Sequence, residues 1–133
     1  MTSMRITHLG GPTTLIEVAG WRILTDPTFD APGRTYGFGW GTTSRKLAGP
    51  ALPAGSLGDI DAVLLTHDQH ADNLDDAGRE LLADAYRIVT TVAGSRRLGA
   101  GATGLAPGSA PNSPHRTGRP SRSPPRRAGT DHR

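Results

Sequence analysis

The 133-residue sequence predicts an α+β domain over residues 1–106 and a disordered tail over 107–133. Three observations lead there. Two short β-rich runs joined by small residues lie near the N-terminus. An apolar run, a helical pattern and a second apolar run follow one another between residues 62 and 92. Beyond Pro107, no aliphatic residue larger than Ala remains to fill a core.

Met4–Leu9 (MRITHL) alternates loosely and reads as a first strand, broken by Gly10-Gly11-Pro12. Thr13–Val18 (TTLIEV) and Trp21–Thr25 (WRILT) are joined by Ala19-Gly20. Gly20 can take a positive φ, so the pair reads as a hairpin. Asp26-Pro27 ends it, because proline removes a ladder donor. Residues 28–58 read as a long irregular connection with seven Gly and three Pro. That connection holds Phe29, Tyr36, Phe38 and Trp40, four of the six aromatics. It is expected either to pack over a sheet edge or to line a substrate entrance.

Ala62–Leu65 is a short buried strand by its composition. Asn73 is expected to cap a helix whose apolar positions Leu74, Ala77, Leu81, Leu82 and Ala85 recur at three- and four-residue spacing. Asp75 and Asp76 would fall in its first turn, where negative charge suits the helix dipole. Tyr86–Val92 (YRIVTTV) is β-branched, and Ala93–Leu98 reads as a short turn or helix carrying Arg96 and Arg97. Strand, helix and strand from 62 to 92 predict a βαβ-like unit with its two strands adjacent.

The chemistry concentrates at Thr66-His67-Asp68-Gln69-His70-Ala71-Asp72-Asn73, immediately after the 62–65 run. Two imidazoles, two carboxylates and two amides stand at the carboxyl end of a strand, where layered α/β folds place active sites. Neutral imidazole and carboxylate are ligands for zinc and related divalent ions. His67, His70 and Asp72 are the candidate metal ligands. Asp72 and Asp26, which also follows a strand end, are the candidate catalytic carboxylates. His8 on its short strand reads as structural. Asp72 and Asn73 could equally be helix caps, and His67 and His70 ordinary loop histidines.

In three stretches the sequence resembles the metallo-β-lactamase fold superfamily, in the group of metal-dependent hydrolases related to ascorbate-phosphate lactonase and N-acyl-phosphatidylethanolamine phospholipase D. Thr7–Ile16 (THLGGPTTLI) resembles the opening strand and turn. Trp21–Pro27 (WRILTDP) resembles the "ILTDP" segment, and Asp59–Asp75 the strand leading into a His-x-His-x-Asp-His loop. The resemblance implies an αββα sandwich, of which residues 4–106 are the N-terminal half. It also implies a metal-dependent hydrolase acting on a small molecule with an ester, phosphodiester or lactone bond. The cofactor implied is a divalent metal, Zn first and Mn or Fe after it.

Against the family pattern only His67 matches as a ligand. Gln69 stands at the second His, Ala71 at the Asp and Asp72 at the last His, while His70 occupies a variable position. Independent turnover by this chain is therefore expected to be weak or absent. The alternative is a non-catalytic remnant or binding module of the same fold. An unfinished sheet would also favour self-association.

Composition bounds the rest. With no cysteine, disulfides and thiolate metal sites are excluded. No apolar run approaches ~18 residues, so no membrane span is predicted. The N-terminus lacks a signal-peptide core, and a cytoplasmic protein is expected. The tail carries six Arg against one acid, Asp131, whereas residues 1–106 hold nine basic and eleven acidic residues, a net of −2. Disordered arginine can bind nucleic acid through phosphate contacts. Without aromatics to stack on bases or a folded module to place it, this tail is not expected to be a nucleic-acid binder. One Lys against eight Arg in residues 1–106 suggests GC-rich coding, and a frameshifted terminus from about residue 107 is the expectation.

Overall fold

The computed structural model describes residues 2–33, 35–39, 42–45 and 49–111, with side chains 36–39 and 42–45 outside the description. The expectations for Tyr36, Phe38 and Trp40 as lining groups, and for the tail beyond residue 111, fall outside the described residues.

Strands β1 (Met4–Gly10), β2 (Thr13–Val18) and β3 (Trp21–Thr25) form an antiparallel meander. The β2–β3 turn is the one predicted: Ala19 and Gly20 take φ of 49° and 75°, the paired positive values of a tight two-residue hairpin. A separate two-stranded ribbon, β4 (Thr35–Gly39) and β5 (Thr42–Arg45), interrupts the segment read as structureless. A 3-10 turn at Ala54–Ser56 follows. The expectation of an irregular connection is thus corrected: glycine-rich, threonine-rich sequence hides a ribbon whose pairing has no clear apolar alternation.

β6 (Ala62–Leu64), α1 (Asp76–Leu82) and β7 (Ile88–Thr91) make the expected strand–helix–strand unit, with β6 and β7 adjacent and parallel. α2 (Val92–Leu98) then leads to β8 (Ala102–Leu105), a strand the sequence reading did not contain. The main sheet runs β1-β2-β3-β6-β7-β8, antiparallel through β3 and parallel from there on. A mixed six-stranded sheet with two helices agrees with the α+β expectation.

Register fixes which face is the core. Leu15, Leu24, Val63 and Ile88 stand opposite one another across four strands. Three of them are buried, and Leu74 and Leu82 from the α1 side join the same cluster. α2 covers that face too: a Cβ on Gly104, which pairs with Thr90, would meet Val92 and Ser95 of α2. Both helices therefore lie on one side. The opposite side carries the row Ile6, Ile16, Ile23 and Ala62, with Ile6 59% and Met4 61% exposed. Among the described residues no helix is long and apolar enough to cross a membrane.

Candidate functional site at the carboxyl ends of β3 and β6

β3 and β6 are parallel neighbours, so the segments that leave them emerge side by side at one edge of the sheet. Asp26 follows β3, and its N–H donates to the Leu64 carbonyl (3.0 Å). Its φ of +31° is unusual for a residue with a Cβ. Local strain of this kind persists only where surroundings over-determine it. Here the surroundings do so: the Thr66 N–H donates to Asp26 Oδ1 (2.7 Å) and the Thr66 hydroxyl to Oδ2 (2.9 Å). Thr13 Oγ1 donates to the Asp26 carbonyl (2.7 Å). Asp26 is buried, and its carboxylate faces Thr66 rather than an open cleft.

That arrangement sets the state of His67. The single hydroxyl proton of Thr66 goes to Asp26, so Thr66 Oγ1 can only accept from its other neighbours. Asn73 Nδ2 donates to it (3.2 Å), and His67 Nδ1 lies 3.2 Å away. The geometry suits an Nδ1–H on His67, and in the neutral form of the ring that tautomer carries its lone pair on Nε2. A ring nitrogen fixed in this way is what a metal ligand or a base requires. His67 is exposed, and the ring of His70 stands edge-on to it, with centroids 6.2 Å apart at 87°.

Asp68, between the two imidazoles, points the other way and is buried. Arg97 of α2 donates to it from Nε to Oδ2 (2.8 Å) and from Nη2 to Oδ1 (2.5 Å). Arg79 of α1 donates from Nη2 to its carbonyl (2.6 Å). The hydrogen bonds from Arg97 hold the Asp68 carboxyl below the usual carboxylate range, against the opposing effect of burial. The same contact raises the Arg97 guanidinium.

Asp72 is exposed on the turn that follows. The structure brings His67 and His70 together, but among the described residues no three His, Cys, Asp or Glu side chains are gathered as an ion would need. The donors present, two imidazoles without a third anchor, do not fit a resident metal, which takes three or more protein ligands. His8 is exposed, its Nε2 2.9 Å from the Gly11 carbonyl, in keeping with a structural role.

The expected cap at Asn73 is corrected. α1 begins at Asp76 and its N-cap is Asp75, whose Oδ1 accepts from the Gly78 N–H (2.8 Å). The same carboxylate accepts from the backbone of Phe29 (2.9 Å) and Asp30 (2.6 Å), while Asp30 Oδ1 accepts from the Ala77 N–H (3.0 Å). Two buried carboxylates thus lace the segment after β3 to the start of α1. Asn73 serves Thr66 instead. Sequence reasoning missed Asp30, Asp75, Arg79 and Arg97. For Asp75 a signal existed, since an aspartate beside an acidic first turn is as good a cap as an asparagine.

No protein-family model matches the chain. Uncharacterized proteins from Mycobacterium bovis and two strains of Mycobacterium tuberculosis are each 32% identical to it over 75 residues, 54% of this chain. That stretch spans only 18% of the length of each relative. Among solved structures, a possible metal-dependent hydrolase from Veillonella parvula superposes with a TM-score of 0.57 at 20% identity, over 74% of this chain and 38% of its own. Isothiocyanate hydrolase from Delia radicum gut bacteria gives 0.61 at 24% identity, over 76% and 41%.

Proposed function

We propose that the fold this chain shares with these two hydrolase structures is metallo-β-lactamase-like. From that premise we propose that the chain belongs to a metal-dependent hydrolase, with the loop 66–73 as its ion-holding loop. We further propose that the donors present in this chain do not sustain turnover unaided. The observation that carries the reading is the chain of hydrogen bonds from buried Asp26 through Thr66 to Nδ1 of exposed His67, which commits one ring nitrogen and not the other. In this reading His67 and His70 are the ion-facing groups, Asp72 is the third candidate donor on the same loop although it is not gathered with them, and Asp26 is a positioning group acting through Thr66. Imidazole and carboxylate donors suit Zn, with Mn or Fe as alternatives, and the substrate is a small molecule with an ester, phosphodiester or lactone bond.

Zinc titration by calorimetry, on the wild type and His67→Ala, tests this reading. Weak binding by the wild type that disappears in the variant supports it, and equal binding by both overturns it. A second reading, a non-catalytic module of the same fold, draws on the absence of a three-donor group among the described residues. It predicts no binding in either protein. The bare sheet face bearing Met4, Ile6 and Leu64 supports self-association as part of the first reading. A dilution series in the analytical ultracentrifuge that finds monomer throughout removes that element.

A further inference from the structure

His67 sits between two gripped residues. On one side Thr66 is held by Asp26. On the other, Asp68 is held by two arginines from different helices: Arg97 of α2 takes both carboxylate oxygens and Arg79 of α1 takes the carbonyl. A guanidinium meeting a carboxylate through two parallel N–H groups fixes orientation as well as distance, which a single-point contact cannot do. The carboxylate is buried while both imidazoles are exposed, so Asp68 turns inward as its neighbours on the loop turn outward.

The His67 and His70 rings stand edge-on at 6.2 Å, an arrangement that both backbone positions must hold. The grip on Asp68 comes from elsewhere in the chain: Arg79 is 11 residues and Arg97 29 residues further along.

We propose that Arg97, acting through Asp68, is a positioning residue that sets the mutual geometry of His67 and His70, with Arg79 as its second point of attachment. Helix α2 is thereby tied to the working loop, although it contributes no residue to the loop's surface. The assignment concerns loop geometry alone. A failed metal titration leaves it standing, and its own failure leaves the metal reading untouched.

The test is the nuclear Overhauser effect between the two imidazole rings of the full chain, measured in selectively labelled protein. Wild type is expected to show it. Arg97→Ala and Asp68→Asn are expected to lose it, with both ring Cε1–H signals shifted, while the methyl signals of Leu24 and Val63 stay in place. Arg96→Ala, which removes an equal charge from the neighbouring position of α2, is expected to keep the effect at full strength. An undiminished ring-to-ring effect in folded Arg97→Ala, or its absence in wild type, overturns the proposal. So does an equal loss in Arg96→Ala. Should Arg97→Ala fail to fold, Arg97→Gln and Asp68→Asn decide by the same signal. A variant that moves the core methyls together with the rings marks a general structural role and overturns the proposal as well.

Discussion

Two segments leave the same sheet edge side by side, and they behave in opposite ways. Residues 26–30 are buried without interruption, and their polar groups are matched one by one to Thr13, Thr66, Asp75 and the α1 backbone. In residues 66–73 Asp68 alone is buried, and the two imidazoles face outward. Carboxylates that look like chemistry in the sequence turn out to be fasteners in the first segment. The two segments meet where Asp26 accepts from both the N–H and the hydroxyl of Thr66. Burying a charge is costly unless it is well hydrogen-bonded, and Asp75 accepts from three backbone N–H groups.

The comparison can be broken from the buried side first. A Cβ added at Gly78 would lie 2.0 Å from the Pro27 carbonyl oxygen, a backbone atom that cannot step aside. Gly78→Ala is therefore expected to cost about 3 kcal/mol of stability in urea denaturation, at the upper end for overpacking. Asp75→Asn keeps the shape but turns one of the two oxygens into an NH2, which, with Oδ1 kept for Phe29 and Gly78, meets the Asp30 N–H donor to donor, at a cost of about 2 kcal/mol in the same measurement. At the junction of the two segments, Thr66→Val removes the hydroxyl that donates to Asp26 and accepts from Asn73 and His67, but at an exposed position, and should cost only about 1 kcal/mol. Its sharper signature is on the exposed side, where the ¹⁵N shifts of His67 should show the Nδ1–H tautomer losing its dominance.

The smallest effect belongs to the Asp68–Arg97 pair and is seen in acid. The folded carboxyl titrates below its ordinary value of 3.8, so the unfolded chain takes up the proton first. The pair stabilises the fold above that value, and the contribution fades as pH falls from 3.8 through the lower folded pKa. Arg97→Ala should flatten this acid limb and leave the dependence at neutral pH unchanged. An acid limb identical to wild type would show that the pair is not coupled to folding.

Local sequence was sufficient where one hydrogen-bonding solution dominated. Ala19-Gly20 between two β-branched runs specifies the hairpin, and the apolar spacing after residue 73 specifies α1. Strand β8, Ala-Thr-Gly-Leu, carries little apolar signal. It is held because Gly104 lets α2 approach closely, a tertiary fact with no trace in the local pattern. Asn73 reads as the cap and Asp75 as a first-turn residue from the sequence, but Phe29 and Asp30, 46 and 45 residues distant, hold the aspartate, which becomes the cap. At the site, residue type and strand-end position single out the histidines and Asp26 as candidates, and the structure sets Asp26 against Thr66 and the two rings edge-on. The inward turn of Asp68 was not readable, since its partner is supplied by a helix that had not been attached to the loop.

The reach of the Asp75 contacts also bears on how the chain assembles. The β1–β3 meander closes over short loops, whereas these bonds bring together segments more than forty residues apart and follow only after that entropy has been spent. Contacts of that kind are absent from an early nucleus. Weakening them should hasten escape from the native basin and leave the refolding limb of a chevron nearly where it was. Asp75 thus governs the lifetime of the finished molecule more than the speed of its making.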